Sequence, residues 1–249
     1  WNPGNYSSEG GVIYATDAVF RNNAKAVHAI NYTNFNPGNG NEMPYDSYFH
    51  NCTFTIDNNY IGEDIFYKHV DIDRVRGIEF LGCSFSVDAN VPQVSESASG
   101  IAAYNAGFLV DSYCDSNLSP CPDNDLVRSS FTGFHDGIKS INNGGNAYTS
   151  IIRNSTFNNN HIGVYIENTS YATILNNIFN VGSSSDCSFG IYANGVTGFT
   201  IEENSFVGDN EFSSVNYGVA IKNSNAFNDI YLNSFENLDC GNISIGNNT

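Results

Sequence analysis

Asp71 and Asp73 are the two carboxylates in this sequence best placed to work as a pair. Side chains at i and i+2 of a β-strand share a face, and the strand rise separates them by roughly 6.5–7 Å. Hydrolysis of a glycosidic bond needs two carboxyl groups flanking it, about 5–5.5 Å apart for retention of configuration and about 6.5–9.5 Å for inversion. With His69 the same residues form H-x-D-x-D, a pattern that invites a divalent metal. Three ligands alternating along one strand span roughly 13 Å, too far for one ion without a bulge, so no metal is expected there. His28, His50, His135 and His161 are scattered, and their neighbours form no Ser-His-Asp or Cys-His set. Asp115, Asp123 and Asp125 crowd a short segment that could hold calcium, as extracellular loops sometimes do.

What would position these groups is a repeat. Phe20, Phe54, Phe85, Phe131, Phe157, Phe179, Phe206 and Phe235 each close a short segment with an apolar or small residue five places earlier. Those earlier residues are Ala15, Phe49, Phe80, Leu126, Ile152, Ile174, Ile201 and Ile230. Gly followed by Ile or Val recurs at Gly100, Gly137, Gly163, Gly190 and Gly218. From Gly137 onward the period is roughly 26–28 residues, in the range of a solenoid coil. Such a unit holds short strands of alternating apolar and polar residues and cannot close a core alone. Successive units must stack about 4.8 Å apart and hydrogen-bond as parallel strands. The expected fold is all-β: a single-stranded, right-handed parallel β-helix of roughly 8–9 coils. It is read as one domain over residues 1–249, with inserted loops near 36–46 and 113–125. Gly and Asn are assigned to the turns between sheets, since both tolerate left-handed dihedrals. Stacked Asn amides can also hydrogen-bond in ladders, which accounts for Asn at roughly one residue in six.

The repeat also sorts inward from outward. Val70/Ile72, Ile101/Ala103, Ile138/Ser140, Val164/Ile166, Ile191/Ala193 and Val219/Ile221 read as one inward pair per coil. Alternation then sends Asp71, Asp73, Tyr104, Lys139, Tyr165, Glu167, Tyr192, Asn194 and Lys222 outward along one strip. Tyrosines beside carboxylates and amides suit sugar rings, which stack C–H faces on aromatics while their hydroxyls take hydrogen bonds. Tyr104, Tyr165, Glu167, Tyr192 and Asn194 are accordingly the ligand-binding candidates. The plainer alternative is a solvated sheet face on which Tyr serves strand propensity and cross-strand packing.

Charge and cysteines narrow the setting. Nine Lys+Arg stand against 26 Asp+Glu, a net charge of −17. That balance argues against nucleic acid and anionic membrane surfaces, and it repels an acidic polysaccharide. No apolar run is long enough to span a bilayer, and the start at Trp1 reads as a mature or excised piece. Six cysteines without C-x-x-C spacing read as disulfides of an oxidising compartment. Cys114 and Cys121 would staple the second insertion. Cys52 and Cys83 fall at one repeat position in consecutive coils, with Cα atoms about 4.8 Å apart, inside the disulfide window of about 4.4–6.8 Å. They form either that bond or two thiols in a packed ladder. Cys187 and Cys240 remain by elimination, two coils apart.

The segment GVYIENTSYATILNNIFNVG, Gly163 to Gly182, resembles the parallel β-helix repeats of the pectin-lyase-like superfamily. VRGIEFLGCSF, GIAAYNAGFLV, the Cys114–Cys121 loop and FTGFHDGIKSIN together resemble large exported β-helix proteins of the Bacteroidetes. The resemblance implies an extracellular or bacterial cell-surface location. In enzymatic members it also implies substrate on the outward face of the first parallel sheet. It chooses no function, because members range from pectate lyases and polygalacturonases to adhesins and phage tailspikes. The Asp-Asp and His-Gly motifs of polygalacturonases are absent. Lyases of this fold need a cationic base, for which Arg74, Arg76 and Lys139 stand without the surrounding motif. The expectation is therefore a non-catalytic rod or adhesin module, with a polysaccharide or surface protein as partner and further coils or subunits at its ends. No cofactor is expected beyond calcium. The alternative is a polysaccharide hydrolase or lyase working over Asp71 and Asp73.

Overall fold

The computed structural model describes residues 12–30, 47–116, 118–143, 148–182, 187–209, 215–225 and 228–248. Across them the chain winds through three sheets of eight strands, one strand per sheet in every coil. Neighbouring coils pair in parallel in all three sheets. The first coil runs through Tyr14–Thr16, Val19–Arg21 and Val27–Ile30, and the last through Asp229–Tyr231, Ser234–Glu236 and Cys240–Ile245. The fold is the parallel β-helix expected from the repeat, with eight coils among the described residues. No helix among them is long and apolar enough to cross a membrane.

The interior consists of residues stacked in register. In the second sheet Phe20, Phe54, Phe85, Phe131, Phe157, Phe179, Phe206 and Phe235 pair directly from coil to coil. Their ring centroids are 4.6 to 5.0 Å apart and the planes within 9° of parallel. In the first sheet the column is Ala15, Phe49, Phe80, Val110, Ile152, Ile174, Ile201 and Ile230. Val110 takes the place expected for Leu126, which pairs antiparallel with Cys114 at the neck of an insertion. Counting back from Phe131 fails because the insertion separates the first-sheet strand Phe108–Asp111 from the second-sheet strand Ser129–Thr132. The Cys114–Cys121 disulfide closes that insertion, its Cα atoms 5.8 Å apart. The expected insertion near 36–46 lies outside the described residues.

Asparagine serves both purposes expected of it. The residue after the first-sheet strand has a positive φ in most coils, as at Asn51, Asn154 and Asn176. The next residue points inward, giving a corner column that includes Cys52, Cys83, Ser129, Ser155, Asn177 and Asn204, all buried. Its later members form an amide ladder. Asn177 donates its backbone N–H and its Nδ2 to Asn204 Oδ1 at 2.9 and 3.0 Å, and Asn204 does the same to Asn233. The remaining Nδ2 hydrogens reach backbone carbonyls, Ile152 from Asn177 and Ile174 from Asn204. Each buried amide is thereby satisfied inside a dry corner.

Two expectations are corrected here. Gly100, Gly137, Gly163, Gly190 and Gly218 lie inside third-sheet strands, and none is among the residues of positive φ. Their role is close approach. A β-carbon on Gly163 would stand 2.6 Å from the Gly190 carbonyl oxygen and 2.8 Å from the Phe179 ring. The cysteines decide one pair of open alternatives, at Cys52 and Cys83, and supply the second correction at Cys187 and Cys240. Cys52 and Cys83 are unbridged thiols, with Cys52 Sγ 3.3 Å from the His50 carbonyl and Cys83 Sγ 3.1 Å from that of Phe49. Cys187 and Cys240 are also unpaired. Cys187 aligns with Val215, whereas Cys240 aligns with Tyr217, so they are two coils apart and also two residues out of register. That offset exceeds any disulfide reach.

His69 occupies the glycine position one coil before Gly100, as the flanking pairs Lys68–Ser99 and Val70–Ile101 show. Its ring is fully buried against Phe66 and Phe134, with Nε2 3.0 Å from the Ser86 carbonyl. Burial pushes its pKa down to about 4, although the Ser86 contact works the other way. The unfolded chain therefore takes a proton at His69 near pH 6.5, while the folded chain resists until about pH 4. Stability from this residue is complete above pH 6.5 and falls by about 3 kcal/mol as pH drops to 4. Denaturant titrations across that range should show the loss, and His69→Gln should remove the part of it that this residue contributes. Gly163→Ala should destabilise the fold by about 1–3 kcal/mol through overpacking, read as a lower denaturation midpoint with unchanged slope.

Candidate functional site

The outward strip falls where alternation places it. Successive coils align Asp71 with Ala102, Lys139, Tyr165 and Tyr192, and align Asp73 with Tyr104, Ile141, Glu167 and Asn194. Regularity breaks on the early coils of this third sheet. Phe66–Asp73 and Val94–Tyr104 are longer than the next strand, Asp136–Ile141, and their register shifts between Phe66 and Lys68. The later strand of that pair sets residues 95–98 against Tyr67 alone. The loop before Phe66–Asp73 is pinned by the Tyr60 hydroxyl, which donates to the Asp64 carbonyl at 2.7 Å.

A groove of about 800 Å³ follows, lined by Lys25, Glu63, Asp64, Ile65, Tyr67, Lys68, Ser97, Ser99, Ala102, Tyr104 and Lys139. A second hollow of about 620 Å³ adjoins it, sharing Ile65, Tyr67 and Ser97 and reaching His135. Three of the chain's four lysines therefore meet at one place in a strongly acidic protein.

Those lysines are already engaged. Asp71, 8% exposed, lies 2.7 Å from Lys25 Nζ, 2.9 Å from Lys68 Nζ and 3.0 Å from His28 Nδ1. Burial raises the Asp71 pKa, and the hydrogen bonds from Lys25 and Lys68 more than reverse that, leaving it below the ordinary carboxylate value. Lys68 Nζ also stands 5.2 Å over the Tyr104 ring. Lys139 Nζ is 3.2 Å from Asp136 and 5.5 Å over Tyr165, and the His135 imidazole is 3.0 Å from the other Asp136 oxygen. Asp73 pairs with its neighbour Arg74 at 3.1 Å. Cation and anion thus pair at Asp71 and at Asp136, and Asp71 is held ionised rather than protonated. A glycosidase acid requires the opposite bias.

The five ligand-binding candidates separate into two places. Tyr104 lines the groove. Tyr165, Glu167, Tyr192 and Asn194 lie on later coils and are occupied with one another. The Tyr165 hydroxyl donates to Glu167 Oε2, and the Tyr165 and Tyr192 rings stack 5.7 Å apart. Burial and the Glu167 carboxylate together raise the Tyr165 pKa. Phe189 and Tyr217 form a similar outward stack at 4.9 Å. Rings stacked along the helix axis turn their faces to each other, leaving edges for a ligand. Tyr67, 51% exposed at the groove, is the aromatic that sequence periodicity missed, because the bulge beside it breaks the alternation. Lys25 and Lys68 were missed as well, and their signal was the rarity of lysine itself.

Among the described residues no group of three or more His, Cys, Asp or Glu side chains is arranged to hold a metal ion. Asp115 and Asp125 of the proposed calcium loop are joined through their backbones at 2.9 Å, and the side chain of Asp123 lies outside the described residues. No family model matches the chain, and no curated protein or solved structure matches it.

Proposed function

We propose that this chain is a non-catalytic, extracellular β-helix module that binds a neutral glycan segment in the third-sheet groove. The observation that carries this reading is the ion cluster around Asp71, which ties up the best-placed carboxylate and the lysines beside it. What remains for a ligand is the exposed Tyr67 ring, the hydroxyl of Ser97, and an open channel. That set suits uncharged sugars, which need an aromatic surface and scattered polar groups rather than a net charge. The Cys114–Cys121 disulfide and the excess of acidic residues fit a secreted setting, as does the likeness to exported, pectin-lyase-like β-helices.

A glycan array of neutral plant, algal and bacterial polysaccharides, followed by titration calorimetry on hits, tests the proposal. Binding should weaken about tenfold or more in Tyr67→Ala, the loss of one stacked aromatic contact. Binding unchanged in Tyr67→Ala would place the ligand elsewhere. Release of reducing ends or unsaturated products, abolished by Asp71→Asn or Asp73→Asn, would instead make the protein an enzyme.

A further inference from the structure

We infer that Cys52 and Cys83 are a cross-linking site: on oxidation they close a disulfide between the second and third coils, the two coils whose long strands build the groove. They sit at one position of the corner column. The Ser84 N–H donates to the Cys52 carbonyl at 2.9 Å, and Thr53 aligns with Ser84 immediately after the two cysteines. In-register neighbours of parallel strands bring their Cα atoms to about 4.8 Å, inside the disulfide window. Both side chains point into the same corner, and both are buried.

The rest of the column shows what this position otherwise requires. Ser129 Oγ accepts the Cys83 N–H at 3.1 Å, and the oxygens of Asn177 and Asn204 accept N–H groups of the coil before them. Sulfur is a poor acceptor for that purpose. The two thiols do donate to backbone carbonyls, Cys52 to His50 and Cys83 to Phe49, as Ser155 does to Arg153, but the accepting role that Ser129 and the asparagines fill in this column is one they serve poorly. Their chemistry supplies a reason. Cys52 is the thiol that faces the first coil, its Sγ 3.6 Å from the Ala15 carbonyl, and the Cys83 thiol beside it lowers its pKa while burial raises that of Cys83, so Cys52 is the attacking thiolate.

The step balances with a small disulfide as oxidant. Cys52 thiolate attacks one sulfur of oxidised glutathione and releases a glutathione thiolate. Cys83 then loses its proton, attacks the Cys52 sulfur and displaces the second glutathione. One disulfide forms, one is reduced, and two glutathione thiols leave. Access comes through opening of the first coil, whose strands Tyr14–Thr16 and Val19–Arg21 are only partly buried.

The folded protein, equilibrated with a series of reduced and oxidised glutathione and quenched by alkylation, should yield a peptide linking Cys52 to Cys83. The oxidised form should melt on the order of 5–10 °C above the form in which this pair is reduced. Cys83→Ser keeps the fold, because Ser129 and Ser155 already occupy this column, and it should abolish both the linked peptide and the part of the redox-dependent shift due to this pair. Recovery of Cys52 and Cys83 as separately alkylated or glutathione-capped residues, while Cys114–Cys121 is joined, would overturn the inference. So would a redox-dependent melting shift of the same size in Cys83→Ser.

Discussion

Each coil of this chain sets a phenylalanine ring on the ring of the coil before it, at the spacing that parallel strands impose on their backbones. A flat ring stacks on itself at that distance with little adjustment. Once eight rings are aligned, coil length, register and corner geometry have little freedom left. The glycine column follows from the same constraint. The ring edges press on the third-sheet backbone so closely that a β-carbon would collide with ring and carbonyl together. His69 shows the exception: an imidazole fits at the glycine position in the second coil, lying among Phe54, Phe66, Phe85 and Phe134.

Polar groups inside the solenoid obey a matching rule. The corner between the first and second sheets leaves one inward side chain per coil, and that side chain must satisfy the backbone it covers. Asparagine does so completely, accepting from the coil before and donating to a carbonyl. Serine does so partly, as Ser129 does between Cys83 and Asp111. The amide ladder runs at a place where water is excluded, so each bond avoids the full penalty of an unpaired buried group. This is the structural use of an asparagine content that would otherwise suggest disorder.

The groove arises where this order is interrupted. Val94–Tyr104 sets residues 95–98 against Tyr67 alone, and the groove lies at this break in register, lined by Tyr67 and Ser97. Inside it the lysines neutralise Asp71 and Asp136 instead of projecting a positive field. The same arrangement that makes Asp71 a poor acid gives the channel a compensated, hydrogen-bonding floor. A binding surface and a hydrolytic one would use the same face of the same sheet, and they would differ in the charge state they require of Asp71.

Alternation and periodicity, both local properties, were legible without coordinates. The Phe column, the inward pairs such as Val164/Ile166, the left-handed asparagines and the Cys114–Cys121 staple all follow from residue types repeating at the coil length. Other features depend on how many residues separate one coil from the next, which insertions change. Val110 rather than Leu126 fills the first-sheet column because an insertion falls between them. Cys187 misses Cys240 by two residues of register for a related reason: coil length fixes which residues face each other. Lys25 reaches Asp71 across 46 residues, and no spacing in the sequence announces that pair. The sequence by itself determined the coil and the face each residue takes within it. Only the tertiary structure decided which charges meet on that face, because stacking brings together residues whose separation along the chain varies from coil to coil.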